Sequence, residues 1–161
     1  KFPKRTALVN SASVFDPGAF LESDHALFSR QFRVNLEAPV FLTQAFAKLV
    51  KKGAVVNLLD TMITQNKHTH FYYLLSKKAL MEFTRMAAAE LAPHIRVNGV
   101  CPGYILPSAG WDEDYQAQLE ARLPMRQIAS VADVAAAVQF MIATQYVTGQ
   151  CVYVDGGEHL L

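Results

Sequence analysis

Short apolar runs separated by long helical patterns constrain this chain more than any other feature. Residues 54–59 (AVVNLL), 96–101 (RVNGVC) and 151–154 (CVYV) are nearly continuous apolar stretches, and residues 6–12 (TALVNSA) read the same way. Strands of this kind are buried on both faces, as in a parallel sheet. The intervening helical patterns cover residues 24–51, broken near 34–39, then 71–91, stopped ahead of Pro93, then 114–123 and 131–144. Ser130 is placed to cap the last of these, with Asp133 in its first turn. Such alternation predicts β/α units around a parallel sheet, in one α/β domain spanning residues 1–161.

Composition narrows the function classes. A net charge of +1 across 161 residues points away from nucleic acid or an anionic membrane as partner. No apolar run is long enough to span a bilayer, and the basic N-terminus lacks a signal-peptide core. Cys101 and Cys151 lack metal-type spacing, so they read as buried free thiols in a reducing cytoplasm, and no metal site is expected. The 52% hydrophobic content suits a sheet covered on both faces or a large subunit interface.

Chemistry concentrates around Tyr73 and Lys77. Four residues apart on a helix, they share one face, and an ammonium that close is expected to lower the phenol pKa. A tyrosine tuned in this way can protonate a C=O or C=N bond during reduction. Asp60 ends a strand thirteen residues before Tyr73. A strand-end aspartate is commonly a turn residue, but this spacing favours a place in the site. Asn10-Ser11-Ala12-Ser13, Asn35 and Cys101-Pro102-Gly103 complete a set of landmarks. Most lie at strand C-termini, where a doubly wound sheet holds its ligand. Tyr72 lacks a lysine at i+4, Lys78 reads as a solvated helix residue, and His68 and His70 read as surface residues.

On these landmarks, and on residues 147–157 (VTGQCVYVDGG), the chain resembles the short-chain dehydrogenase/reductase family. The resemblance implies a Rossmann-like, doubly wound parallel sheet with helices on both faces. It also implies an Asn-Ser-Tyr-Lys tetrad. Asn35 would hold a water in a proton relay, Tyr73 would be the acid, and Lys77 would bind the nicotinamide ribose. Asp60 replaces the serine, which is characteristic of the pteridine reductase branch. Ala12-Ser13-Val14-Phe15 resembles that branch's Ala-Ser-x-Phe, with Phe15 stacking on the pterin ring; the rival role for Phe15 is to cover the edge of the core. Substrate contacts are then expected from Ser13, Phe15, Asp60 and Tyr73. Ser11, Ala12, Leu58, Tyr73, Lys77, Pro102, Gly103 and Ile105 are expected to contact the cofactor. NADPH is the implied cofactor, with NADH as the open alternative. Trp111 follows Pro102-Gly103 on the segment that closes over substrate in the family. A cytoplasmic homo-tetramer acting on a small molecule is the implied assembly.

One family element is missing from these residues. None of the eight glycines forms the G-x-x-x-G-x-G turn that holds a pyrophosphate at a helix N-terminus. Residues 3–9 resemble the family's first strand, whereas Asn10 onward resembles the end of its fourth. The expectation is therefore a domain lacking most of its first nucleotide-binding half, with a junction near Val9/Asn10. The leading functional reading is an NADPH-dependent reductase of a pterin or dihydrofolate-like ring. The alternatives are a carbonyl reductase for 3-oxoacyl thioesters or sugars, and a non-catalytic scaffold or binding subunit retaining the fold.

Overall fold

The structure, a computed structural model, describes residues 6–67, 69–106 and 113–161, apart from the Glu113 side chain. His68, Trp111 and residues 3–5 lie outside the described residues. Strands β1 (Thr6–Asn10), β2 (Gly53–Leu58), β3 (Ile95–Pro102) and β4 (Cys151–Val154) form a parallel sheet in the order β1-β2-β3-β4. Alternating side chains divide the core in two, because successive strand residues point to opposite faces. Val55, Ile95 and Val97 meet Ala87 and Ala88 on one face, whereas Val56 and Val100 meet Met141 on the other. The expected fold, a parallel sheet with helices on both faces, is the one observed.

Helices α1 (His25–Phe32), α2 (Ala38–Leu49) and α3 (Phe71–Leu91) serve the first face, and α5 (Val131–Ala143) the second. Helix α4 (Glu113–Arg122) follows β3. Asp24 caps α1 through the Leu27 amide, and Ser130 with Asp133 forms a reciprocal capping box on α5. Two differences from the expected elements matter for the site. The first strand stops at Asn10 instead of continuing to residue 12, which frees Ser11, Ala12 and Ser13 as an exposed rim. Nor does the chain break near 34–39: α1 and α2 are joined through a π-helical turn, Arg33–Glu37. Pro39 sits in the first turn of α2, where a missing N–H is tolerated, so the proline does not end the helix.

Candidate active site

The C-terminal ends of β2 and β3 open into a cleft of about 470 Å³ whose lining includes Phe15, Asp60, Tyr73, Gly103 and Ile105. At its centre the Tyr73 hydroxyl donates a short hydrogen bond to Asp60 Oδ2. Asp60 Oδ1 accepts from the Met62 amide at 2.7 Å, so the residue both caps a 3-10 turn (Thr61–Thr64) and meets the tyrosine. Its turn role and its site role are the same placement. Thr61, one position later, points away and donates to Asp155.

Lys77 is buried one turn along α3, with Nζ donating to the Leu58 carbonyl at 2.8 Å and lying 5.9 Å from the Tyr73 ring centroid. Burial pulls its pKa down to about 8, against the raising influence of Asp60. The expected lowering of the tyrosine pKa is overturned. Burial, followed by the charge and hydrogen bond of Asp60, holds the Tyr73 phenol above its ordinary value. In this state the phenol is a loaded proton donor, and Asp60, not Lys77, is its direct partner.

Asn35 stands one layer back. The π turn aims its side chain at the rim, where Oδ1 accepts from Ser13 Oγ at 3.1 Å and from the Val14 amide at 2.9 Å. Its Nδ2 reaches Val14 O at 3.0 Å, Gln31 Oε1 at 2.9 Å and Ser76 Oγ at 3.1 Å. The amide is therefore used in clamping the Phe15 segment to α3. Pro39, four residues on, has no N–H to give the Asn35 carbonyl, so that carbonyl lacks an α-helical donor. A second buried chain fixes the rotation of α3: Asn10 donates to Asn57 at 2.7 Å, and Asn57 to Thr84 at 2.9 Å.

Phe15 stands over the cleft, half-exposed, with its ring edge-on to Tyr73 at 4.6 Å. His70, read from sequence as a surface residue, is stacked on Phe15 at 4.1 Å between centroids and 5° between planes. Burial first, and then Lys67, lowers its pKa, which keeps the ring neutral and suited to stacking. Its position one residue before α3 was the available signal. Sequence reasoning also missed Glu158, which lines the cleft from a 3-10 turn (Glu158–Leu160) after β4. Of the expected cofactor contacts, Ser11 and Ala12 lie exposed beyond β1, Leu58 holds Lys77, and Pro102-Gly103 ends β3 at the cleft. Ser13 is committed to Asn35. Tyr72 belongs to an aromatic group with Phe20, Phe28 and Phe71.

A family model described as enoyl-(acyl carrier protein) reductase matches residues 1–159. The chain belongs to the short-chain dehydrogenase/reductase family. Among members of that family it is 34% identical to L-xylulose reductase of Mesocricetus auratus, over 93% of this chain and 66% of that protein. It is 33% identical to pteridine reductase 1 of Leishmania tarentolae, over 95% of this chain and 62% of that protein. The crystal structure of FolM alternative dihydrofolate reductase 1 from Brucella suis in complex with NADP superposes with a TM-score of 0.91. That protein is 35% identical, and the match covers 96% of this chain and 64% of its own. The chain thus spans just under two thirds of each of these short-chain dehydrogenase/reductase proteins. Their names divide between sugar and pterin or folate reduction. No helix among the described residues is long and apolar enough to cross a membrane.

Proposed function

We propose that the protein is an NADPH-dependent reductase of a pterin or dihydrofolate-like ring, working as a cytoplasmic homo-tetramer. The observation that carries this reading is the direct Tyr73–Asp60 hydrogen bond at the floor of a cleft capped by Phe15. A carboxylate joined to a tyrosine offers two adjacent proton-handling groups to a ring with neighbouring nitrogens, which a simple ketone does not need. The flat ring of Phe15 suits a heterocycle. Relatives named for pteridine and dihydrofolate reduction, one of them bound to NADP, support the same choice.

The residues present fit the nicotinamide-ribose end of the nucleotide, while the glycine turn for its pyrophosphate is not among residues 1–161. Lys77 Nζ is buried and, among the described residues, donates to Leu58 O alone, so an ammonium with three donors has capacity left for ribose hydroxyls. Ser11, Ala12, Pro102, Gly103 and Ile105 would border the nucleotide, which when bound would supply a hydride to a ring carbon. Tyr73 gives its hydroxyl proton to the adjoining ring nitrogen, completing reduction of C=N to CH–NH. Asp60 holds the tyrosine and would return a proton, directly or through water, to the Tyr73 phenolate left after that step. Asn35 keeps Phe15 in place, and its carbonyl is the group that would hold the relay water.

Two outcomes are expected. Activity should have an alkaline limb near pH 8, because the buried Lys77 ammonium deprotonates above about 8 and no longer binds ribose. Lys77→Arg, which keeps its charge, should move that limb upward; a kcat/KM profile flat to pH 10 would sink the assignment. The second reading, a sugar or carbonyl reductase, is favoured by the L-xylulose reductase relative. It is separated by Asp60→Ser: pterin turnover should fall, whereas a rise in ketone or pentulose reduction would establish the rival.

A further inference from the structure

Asp60 sits between two anchors. One residue before it, the Leu59 amide donates to the Val100 carbonyl of β3 at 2.7 Å. One residue after it, the Thr61 hydroxyl donates to Asp155 Oδ2, on the turn that follows β4. Thr61 and Asp155 are 2% and 5% exposed, so this bond is shielded from water. Asp155 is itself held in place. Its carboxylate accepts from the Gly157 and His159 amides at 3.0 and 2.9 Å and lies 2.9 Å from His159 Nδ1. Gly103 permits the close approach of β3 to this turn, because a Cβ there would come within 2.8 Å of the Asp155 Cβ.

The backbone of Asp60 is extended, with φ −161° and ψ 146°, so its side chain and that of Thr61 point to opposite sides. Fixing Thr61 on Asp155 therefore fixes the direction in which Asp60 projects toward Tyr73. The other side-chain bonds of Asp60 cannot do this. Its Oδ1 accepts from Met62 within the same turn, and its Oδ2 meets Tyr73, the group being oriented. Ile63 anchors the far end of the turn in the core with Leu59, Leu80 and Cys101. We propose that Thr61 is a positioning residue for the Asp60–Tyr73 pair: its hydroxyl, anchored on Asp155, aims the Asp60 carboxylate at the phenol. This rests on the proton role given to that pair above, and not on which ring or carbonyl is reduced.

Thr61→Val removes the donor at similar shape, whereas Thr61→Ser keeps it, and Asp155 retains Gly157 and His159 as partners in both. In NADPH oxidation with dihydrobiopterin, kcat of Thr61→Val should fall about tenfold, within the roughly 10²-fold that a misplacement of about 1 Å can cost. KM for NADPH should stay within about twofold of wild type, which also shows that the variant is folded. Thr61→Ser should recover most of the lost kcat. A second readout needs no substrate. In protein carrying carbon-labelled tyrosine, the Cζ resonance of Tyr73, assigned by its absence from Tyr73→Phe, reports the bond to Asp60. It should move in Thr61→Val and keep its place in Thr61→Ser. Wild-type kcat or an unmoved resonance in Thr61→Val overturns the positioning role. So does an equal loss of kcat in Thr61→Val and Thr61→Ser, which would make the site sensitive to side-chain volume and not to the hydroxyl. If the wild-type protein fails to reduce dihydrobiopterin, the ring reading falls by itself, and the Tyr73 resonance decides whether Thr61 aims Asp60.

Discussion

Tyr73→Phe is expected to lower pterin-dependent NADPH oxidation by roughly 10²–10⁴-fold, the range that a positioned general acid contributes. The substitution removes one oxygen from a buried ring whose packing against Phe15 and within α3 is otherwise preserved. Cofactor binding should persist, because Lys77 keeps its own bond to the Leu58 carbonyl. The informative comparison is with Asp60→Ala, assayed on dihydrobiopterin, dihydrofolate and a small ketone panel. If the two groups work as a pair on a nitrogen ring, both variants lose pterin turnover to a similar extent and their combination costs little more. Loss of pterin turnover only in Tyr73→Phe would falsify the proton role assigned to Asp60. The aspartate would then be a turn residue that happens to touch the tyrosine. Asp60→Ala also deprives the Met62 amide of its cap, so a thermal midpoint measured alongside separates lost chemistry from lost structure.

Asn35→Ala should be the most destabilising of the site substitutions, by about 3 kcal/mol or more, because it strands several buried partners at once. The Val14 amide and carbonyl, Gln31 and Ser76 all lose an interaction that water cannot easily replace. Urea unfolding should show the midpoint falling with the m-value unchanged. Gln44→Ala, on the exposed side of α2, serves as the reference and should lie within about 0.5 kcal/mol of wild type. A loss under about 1 kcal/mol for Asn35→Ala would mean that the clamp carries little of the fold's stability. The activity of the purified variant should fall as well, through misplacement of Phe15.

Much of this was legible in the sequence because periodicity and punctuation agreed. Helix α3 begins and ends where expected, since a regular apolar pattern runs into Pro93, and β4 matches to the residue. Asp60, Tyr73, Phe15 and Gly103 were brought together by topology alone, because parallel strands deliver their C-terminal loops to one edge. Three things were not legible. Pro39 suggested a break, but the π spacing carries the helix past it, leaving only the Asn35 carbonyl without its α-helical donor. The Tyr73 pKa was misjudged because helix spacing shows a lysine one turn away but not the carboxylate in direct contact, nor the depth of burial. His70 and Glu158 carry no motif. Each lies beside a recognisable element, α3 or β4, and only the packing of loops from distant strands turns it inward.

The π turn at Arg33–Glu37 also sets how this chain can change over time. Deleting any one residue there would remove the π spacing and leave Pro39 in the interior of an unbroken α-helix, where its ring is poorly accommodated. It would also rotate everything beyond the deletion by about 100° about the helix axis. Thr43 would swing away from Asn10, Phe46 and Ala47 would leave the sheet, and Asn35 would lose Val14. Length in this helix is therefore locked to the register of the rim. A substitution along it leaves that register in place, whereas an inserted or deleted residue would shift it.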